Sequence, residues 1–317
     1  MTHPLGLDGV VELAVLERSG LIESRHLGAA VVVGPRGTSA HGDVDAAVYG
    51  RSTLKFMQAI AVLDSGVDLV GEQLVLAAAS HSGTDRHVAV VRAILARAGL
   101  DEDALQCPED WPLSRGARSA ASATTRITMN CSGKHAAFLL ACVTNGWPTA
   151  SYLDPSHPLQ QAIRSTVERY TGEVIKHSGV DGCGAPVFAI TLRGLATAVG
   201  SISGATPQTD AAAARLSAAI LANPWALDSP AIARVIGELG LIAKNGAEGV
   251  FVAGCPDGTA VAHKMLDGST RASIAVGLSL LAAAGAIPTA AAADIAAAVT
   301  EQVLGGGLPV GSIRPTR

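Results

Sequence analysis

The chain has 317 residues and a formal net charge of −4, with 49% hydrophobic but only 3% aromatic residues. That length suits one large domain or two smaller ones, and the apolar fraction, rich in Ala and Gly, allows a sizeable core of small side chains. Lys and Arg form no cluster, which argues against nucleic acid and anionic membrane as partners.

In chain order, Val11–Leu16 and Ala29–Val33 are short, β-branched runs bounded by turn residues, so they read as strands. Residues 52–64 carry Leu54, Phe56, Met57, Ile60 and Leu63 at helical spacing, stopped by Ser65-Gly66. Glu72–Ala79 and Asp85–Ala98 predict two further helices, separated by Ser80-His81-Ser82-Gly83. Lys134–Thr144, Pro158–Tyr170 and Ala211–Ala222 are also helical in pattern. Gly249–Ala253 and Thr259–Lys264 flank Cys255-Pro256-Asp257-Gly258, a hairpin signal. Ala272–Ala284 and Thr289–Val303 predict paired Ala-rich helices. The uncharged run 272–293 is broken by Pro288, which fits a buried helical hairpin better than a membrane span. Strands at both ends and helices between them predict an α+β fold: one antiparallel sheet built from the N- and C-terminal segments, with a helical part beside it.

Five cysteines (Cys107, Cys131, Cys142, Cys183, Cys255) are an odd, sparse set that suits free thiols in a reducing cytosol. The first eight residues lack a basic region followed by an apolar run, so a secretory signal is not expected.

Several segments concentrate reactive side chains. Ser52 and Lys55 lie three apart, which puts a hydroxyl and an amine on one helical face. This is the Ser-x-x-Lys spacing of serine enzymes that use lysine as base, and it equally fits a serine cap followed by a solvated lysine. Ser80-His81-Ser82-Gly83 suits a cap and turn as well as a site. Met129-Asn130-Cys131-Ser132-Gly133-Lys134-His135 gathers thiol, amine and imidazole at a helix start in a charge-poor chain. Gly179–Pro186 is a Gly-rich loop around Asp181 and Cys183. Cys131 and Cys183 are candidate metal ligands, although two cysteines without a second Cys-x-x-Cys or His pair are a poor zinc signature. His263-Lys264 closes a strand, and an exposed edge lysine fits there too.

Taken together, these segments resemble the bacterial asparaginase II family, the rhizobial-type (class 3) L-asparaginases. The matching strings are Glu23-Ser24-Arg25-His26, Arg51-Ser52-Thr53-Leu54-Lys55, Ser80-His81-Ser82, Asn130-Cys131-Ser132-Gly133-Lys134-His135, Asp181-Gly182-Cys183 and Pro309-Val310-Gly311, in the family's order over roughly residues 10–315. The resemblance implies a serine β-lactamase/glutaminase-like fold and hydrolysis of L-asparagine to L-aspartate and ammonia. It implies two Ser-Lys pairs, Ser52 with Lys55 and Ser80 with Lys264. It also implies zinc held by Cys131, Lys134 and Cys183, where the lysine ligand must be neutral. Arg51 is a candidate for the substrate carboxylate and Asp181 for its ammonium, His135 is a candidate for contact with the substrate or with the zinc ligands, and a cytoplasmic homodimer is the expected state. The chain is then one catalytic domain over 1–317, with strands mainly in 10–50 and 185–265, a helical region mainly in 52–180 and C-terminal helices at 271–303. For Lys55 to take the Ser52 proton it must be neutral, whereas an unperturbed lysine titrates near ~10.4. Phe56, where the family often has Pro, and Cys107-Pro108-Glu109-Asp110, which lacks a Gly-Gly-His string, depart from the pattern and leave substrate preference open. The rival readings are a β-lactam or peptide amidase of the Ser-x-x-Lys class and a zinc-dependent binding protein.

Overall fold

The computed structural model describes residues 3–317, so the N-terminal reading rests partly on Met1 and Thr2, which lie outside the described residues. The strands are β1 (Val11–Arg18), β2 (Leu21–Gly34), β3 (Gly37–His41), β4 (Ala47–Tyr49), β5 (Ser178–Val180), β6 (Pro186–Thr191), β7 (Ile242–Gly246), β8 (Val250–Gly254), β9 (Ala260–Met265), β10 (Val303–Gly305) and β11 (Leu308–Pro315). The helices are α1 (Lys55–Asp64), α2 (Gly71–Ala77), α3 (Asp85–Arg97), α4 (Arg115–Ala120), α5 (Ser132–Asn145), α6 (Pro158–Thr171), α7 (Leu192–Ser203), α8 (Ala211–Ala222), α9 (Pro230–Leu239), α10 (Ser273–Ala283) and α11 (Thr289–Val299). The chain forms two compact units: Met1–Thr53 with Ala189–Gly204 and Arg234–Arg317, and Leu54–Phe188 with Ala205–Ala233.

The first unit holds an antiparallel sheet in the order β10-β11-β1-β2-β9-β8-β7, with β3 added on β2. The two ends of the chain meet in it, since Val15 on β1 pairs with Arg314 on β11 and with Arg25 on β2. This is the α+β sheet of N- and C-terminal strands that the sequence predicts. Alternation along β8 sets its two covers. A Cβ on Gly277 of α10 would meet the Phe251 ring, whereas a Cβ on Gly254 would meet Ser203 and Val199 of α7. Residues 251 and 254 differ by an odd number, so α7 and α10 lie on opposite faces. Of the hairpin α10–α11, only α10 is deeply buried; α11 buries Ala292 and Ile295. The helix expected to run to Val303 stops at Val299, because Thr300 is extended and residues 303–305 pair with β11.

The second unit is helical, with β5 paired to the start of β6. Its centre is α1, in which every residue from Lys55 to Leu63 is buried, against α2, α5, α6 and α8. A helix apolar on all sides must be buried on all sides, and α1 is one. The helix predicted from 52 begins at 55, because a tight 3-10 turn occupies Arg51–Leu54. Among the described residues no helix is long and apolar enough to cross a membrane.

Candidate active site

In the second unit, Lys55 is the first residue of α1 and is 1% exposed. Its amine donates to Ala79 O at 2.6 Å, Ser80 Oγ at 2.9 Å and Cys131 Sγ at 3.1 Å. None of the three partners is a carboxylate.

Ser80 lies in the irregular stretch between α2 and α3, which is pinned on two sides. The Ser80 N–H donates to Leu227 O at 2.8 Å and the His81 N–H to Asn130 O at 3.0 Å. His81 is fully buried and locks this loop to α5. Ser132 gives its hydroxyl proton to Ile127 O (2.7 Å), so His81 Nε2 is the donor to Ser132 Oγ (2.8 Å). His81 Nδ1 then accepts the Gly83 N–H at 3.1 Å. Burial, then His87 and Lys55, hold this imidazole well below its usual pKa, which matches that neutral tautomer. Ser132 is thus the first helical residue, tied to the loop below it, rather than a cap.

Cys131, Lys134, His135 and Cys183 come together at the start of α5 and in the loop between β5 and β6. Gly184 at φ 85 tightens that loop, and its N–H donates to Asp181 O at 2.8 Å. Lys134 donates to Cys183 Sγ at 3.1 Å. A hydrogen bond from the Cys131 thiol, helped by Lys134 and opposed by burial, holds Cys183 far below the usual thiol range. The same bond, with burial, pushes Cys131 up. Burial pushes Lys134 down, but the sulfurs outweigh it and raise its pKa. The Tyr152 hydroxyl accepts the Gln106 N–H at 2.9 Å and so donates to His135 Nδ1 at 2.7 Å. His135 Nε2 is buried without a hydrogen-bond partner. Burial lowers the ring's pKa, and Cys183 is near enough to oppose that in part.

The implied zinc can be tested against this donor set. Two sulfurs, one amine and a buried imidazole nitrogen lacking a partner are the N/S chemistry that zinc takes. Among the described residues no three His, Cys, Asp or Glu side chains are placed so that they could hold a metal ion together, so the set requires the Lys134 nitrogen. The residues fit zinc on condition that Lys134 gives up its proton, which its raised pKa opposes.

The other expected residues belong to the first unit. Ser52 follows Arg51, which is held at φ 49, a left-handed backbone unfavourable for a residue with a Cβ. The turn is closed by the Thr53 N–H (3.2 Å) and the Thr53 hydroxyl (2.6 Å), both on Gly50 O. Such backbone strain costs of order 1–3 kcal/mol and persists only where the surroundings hold it. The end of β7 packs on this turn. A Cβ on Gly246 would lie 3.2 Å from Thr53 Cγ2 and 3.4 Å from Gly50 O. Lys264, on β9, is half-buried and donates to Glu248 O and Met265 O, both at 2.6 Å. Burial lowers its pKa; Glu248 and Asp267 oppose this and Arg51 adds to it. Gly28 on β2 leaves no room beside this strand, since a Cβ there would sit 2.2 Å from Lys264 O.

Sequence reasoning missed β7 and with it Lys244 and Asn245. Lys244 is fully buried and donates to Asn245 O at 2.9 Å. Asn245 Oδ1 is buried without a hydrogen-bond partner. The signal was present: Asn245-Gly246 stands between the apolar runs Leu241-Ile242-Ala243 and Val250–Ala253. Tyr152, which orients His135, carried no such signal.

The family model described as L-asparaginase II matches residues 14–315. No curated protein matches the chain. Among solved structures, the native form of Mglu is 16% identical with a TM-score of 0.39, over 80% of this chain and 60% of that one. This chain thus spans less than two thirds of that protein. A β-lactamase from Mycobacterium bovis is 15% identical with a TM-score of 0.44, over 81% of this chain and 94% of that one. A Bacillus glutaminase is 13% identical with a TM-score of 0.41, over 76% and 83%. At such values these likenesses carry no argument about chemistry.

Proposed function

The chain belongs to the L-asparaginase II family, and we propose that it is an amidohydrolase that converts L-asparagine to L-aspartate and ammonia through an acyl-enzyme on Ser52. The observation that carries this reading is the amine of Lys55, which is buried, lies one turn after Ser52 in the chain and bonds to Ser80 Oγ at 2.9 Å. Ser52 Oγ attacks the side-chain amide carbon while its proton passes to neutral Lys55. The C–N bond then breaks. The proton held by Lys55 reaches the leaving nitrogen by way of the Ser80 hydroxyl, and ammonia departs. Water attacks the ester, L-aspartate is released and Ser52 recovers its proton. The Ser52 N–H and an N–H at the end of β7 stabilise the oxyanion. Lys264 serves as the second lysine, keeping positive charge near the substrate. Arg51 binds the substrate carboxylate, and Asp181 its ammonium, by charge-assisted bonds. His135 orients the substrate.

Cys131, Lys134 and Cys183 would hold zinc, which would supply a fixed positive charge. Removing both thiols with Cys131→Ala and Cys183→Ala abolishes bound zinc by metal analysis, and unchanged stoichiometry contradicts the assignment. The same reading describes a cytoplasmic homodimer. Five free, buried cysteines support the compartment, and light scattering on the purified protein tests the dimer.

The test of substrate is ammonia release from L-asparagine and L-glutamine, beside hydrolysis of nitrocefin. Turnover of L-asparagine above the other two supports the reading. Turnover of nitrocefin alone replaces it with a β-lactam amidase.

A further inference from the structure

A cavity of about 580 Å³ lies in the second unit, and Ser80 is part of its lining. Leu113, Trp225, Pro230 and Ala233 form an apolar side to it, and the remaining eight lining residues, Arg115, His87 and Asp228 among them, are polar or charged. That is the size of a site for a small organic group, whose apolar body can lie against Trp225 and Leu113 with polar side chains around it. The walls are held firmly. The Arg86 guanidinium lies 3.5 Å above the Trp225 ring, and the His87 ring is 5.0 Å from it on centroids. His87 in turn stacks on His81 at 5.4 Å. The Ser80 N–H is bonded to Leu227 O at 2.8 Å, so the Trp225–Asp228 loop and the serine are set by one another.

Ammonia leaving from L-asparagine uses none of this space. A group that protonates a leaving nitrogen must lie within hydrogen-bond reach of it. Whatever that nitrogen carries is therefore placed in the surroundings of Ser80, and the cavity, with Trp225 and Leu113 on its apolar side, is the open part of those surroundings.

We propose that this cavity receives an apolar substituent on the leaving nitrogen, so that the enzyme also hydrolyses secondary β-amides of L-aspartate, as aryl or aralkyl amides. The inference rests on the Ser52 acyl-enzyme and the Ser80 relay proposed above. Chemically the step is the same. The Ser52 Oγ–carbon bond forms, the carbon–nitrogen bond breaks, and the proton lost by Ser52 ends on the nitrogen. An amine such as aniline or benzylamine leaves in place of ammonia, and water then hydrolyses the ester.

The test is release of aniline and of benzylamine from L-aspartate β-anilide and β-benzylamide, with ammonia release from L-asparagine measured in parallel. Ala233 also lines the cavity, so Ala233→Phe fills it from α9, and Leu113→Trp fills it from an exposed position should the first variant fold poorly. Each filling lowers kcat/KM for the substituted amides relative to L-asparagine by about tenfold or more. The L-asparagine rate reports in the same samples that the site is intact. Hydrolysis of L-asparagine with both substituted amides untouched overturns the inference and leaves the asparaginase reading standing. Hydrolysis of all three with the ratio unmoved by both fillings overturns the assignment to this cavity. Failure on L-asparagine itself overturns the reading on which the inference rests.

Discussion

Lys55 meets three acceptors, a carbonyl, a hydroxyl and a thiol, and each comes from a different stretch of chain. Its three-residue spacing from Ser52 was legible because that is a local matter. Its bond to Cys131 was not, because 76 residues separate the two and only the packing of α5 near α1 brings them together. Replacing Lys55 by Met keeps the volume and removes the base. We expect kcat to fall by about a thousandfold, the range for a lost general base, with the circular dichroism spectrum unchanged. An equally slow but pH-shifted enzyme, in place of a dead one, means that another group takes the proton. Lys264→Met removes a cation that burial already disfavours. It lowers kcat/KM by about a hundredfold, and near-native turnover removes Lys264 from the proposed site.

At the scale of elements, strong periodicity was readable and strand pairing was not. The helix α8 has the predicted bounds, Ala211–Ala222, because Asp210 caps it through the Ala213 N–H (3.0 Å) at an apolar run. The strands β10 and β11 escaped notice. Leu304-Gly305-Gly306-Gly307-Leu308 has neither alternation nor β-branching, and pairing with β1 is what makes β11 a strand. The approach of α5 to α2 depends on one glycine. A Cβ on Gly133 would lie 2.6 Å from Leu76 O, which is backbone and cannot turn away. Gly133→Ala therefore pushes the start of α5, and with it Cys131 and Lys134, off its seat. The expected cost is about 1–3 kcal/mol, read as a lower denaturant midpoint, together with reduced zinc. A variant as stable as the parent contradicts this packing.

For the molecule as a whole, the buried histidines set the acid limit. His263 is fully buried, stacks on Phe251 and meets Ser273 O at 2.9 Å. Burial pushes its pKa down to about 4; the Ser273 carbonyl opposes this and Lys264 adds to it. In the unfolded chain an imidazole titrates near ~6.5, so between the two values only the unfolded state takes up the proton. Stability is complete above the unfolded value and falls as the pH drops through this window, by of order 3 kcal/mol for this one group. His81 acts in the same direction. Denaturation midpoints between pH 4 and 7 should follow that slope, and His263→Leu should flatten it. A stability independent of pH across the window contradicts the burial account. The sheet of chain ends was legible at this scale because strand-like runs stand at both ends of the sequence. The division into two units was not, because it follows long-range packing and cuts inside the Ser52–Lys55 segment.

The most direct test of the central claim is ammonia release from L-asparagine by Ser52→Ala beside the parent protein, with thermal melting measured on both. The account predicts that the parent releases ammonia, that the variant does not, and that the melting curves coincide. A Ser52→Ala protein that turns over L-asparagine at the parent's rate contradicts it.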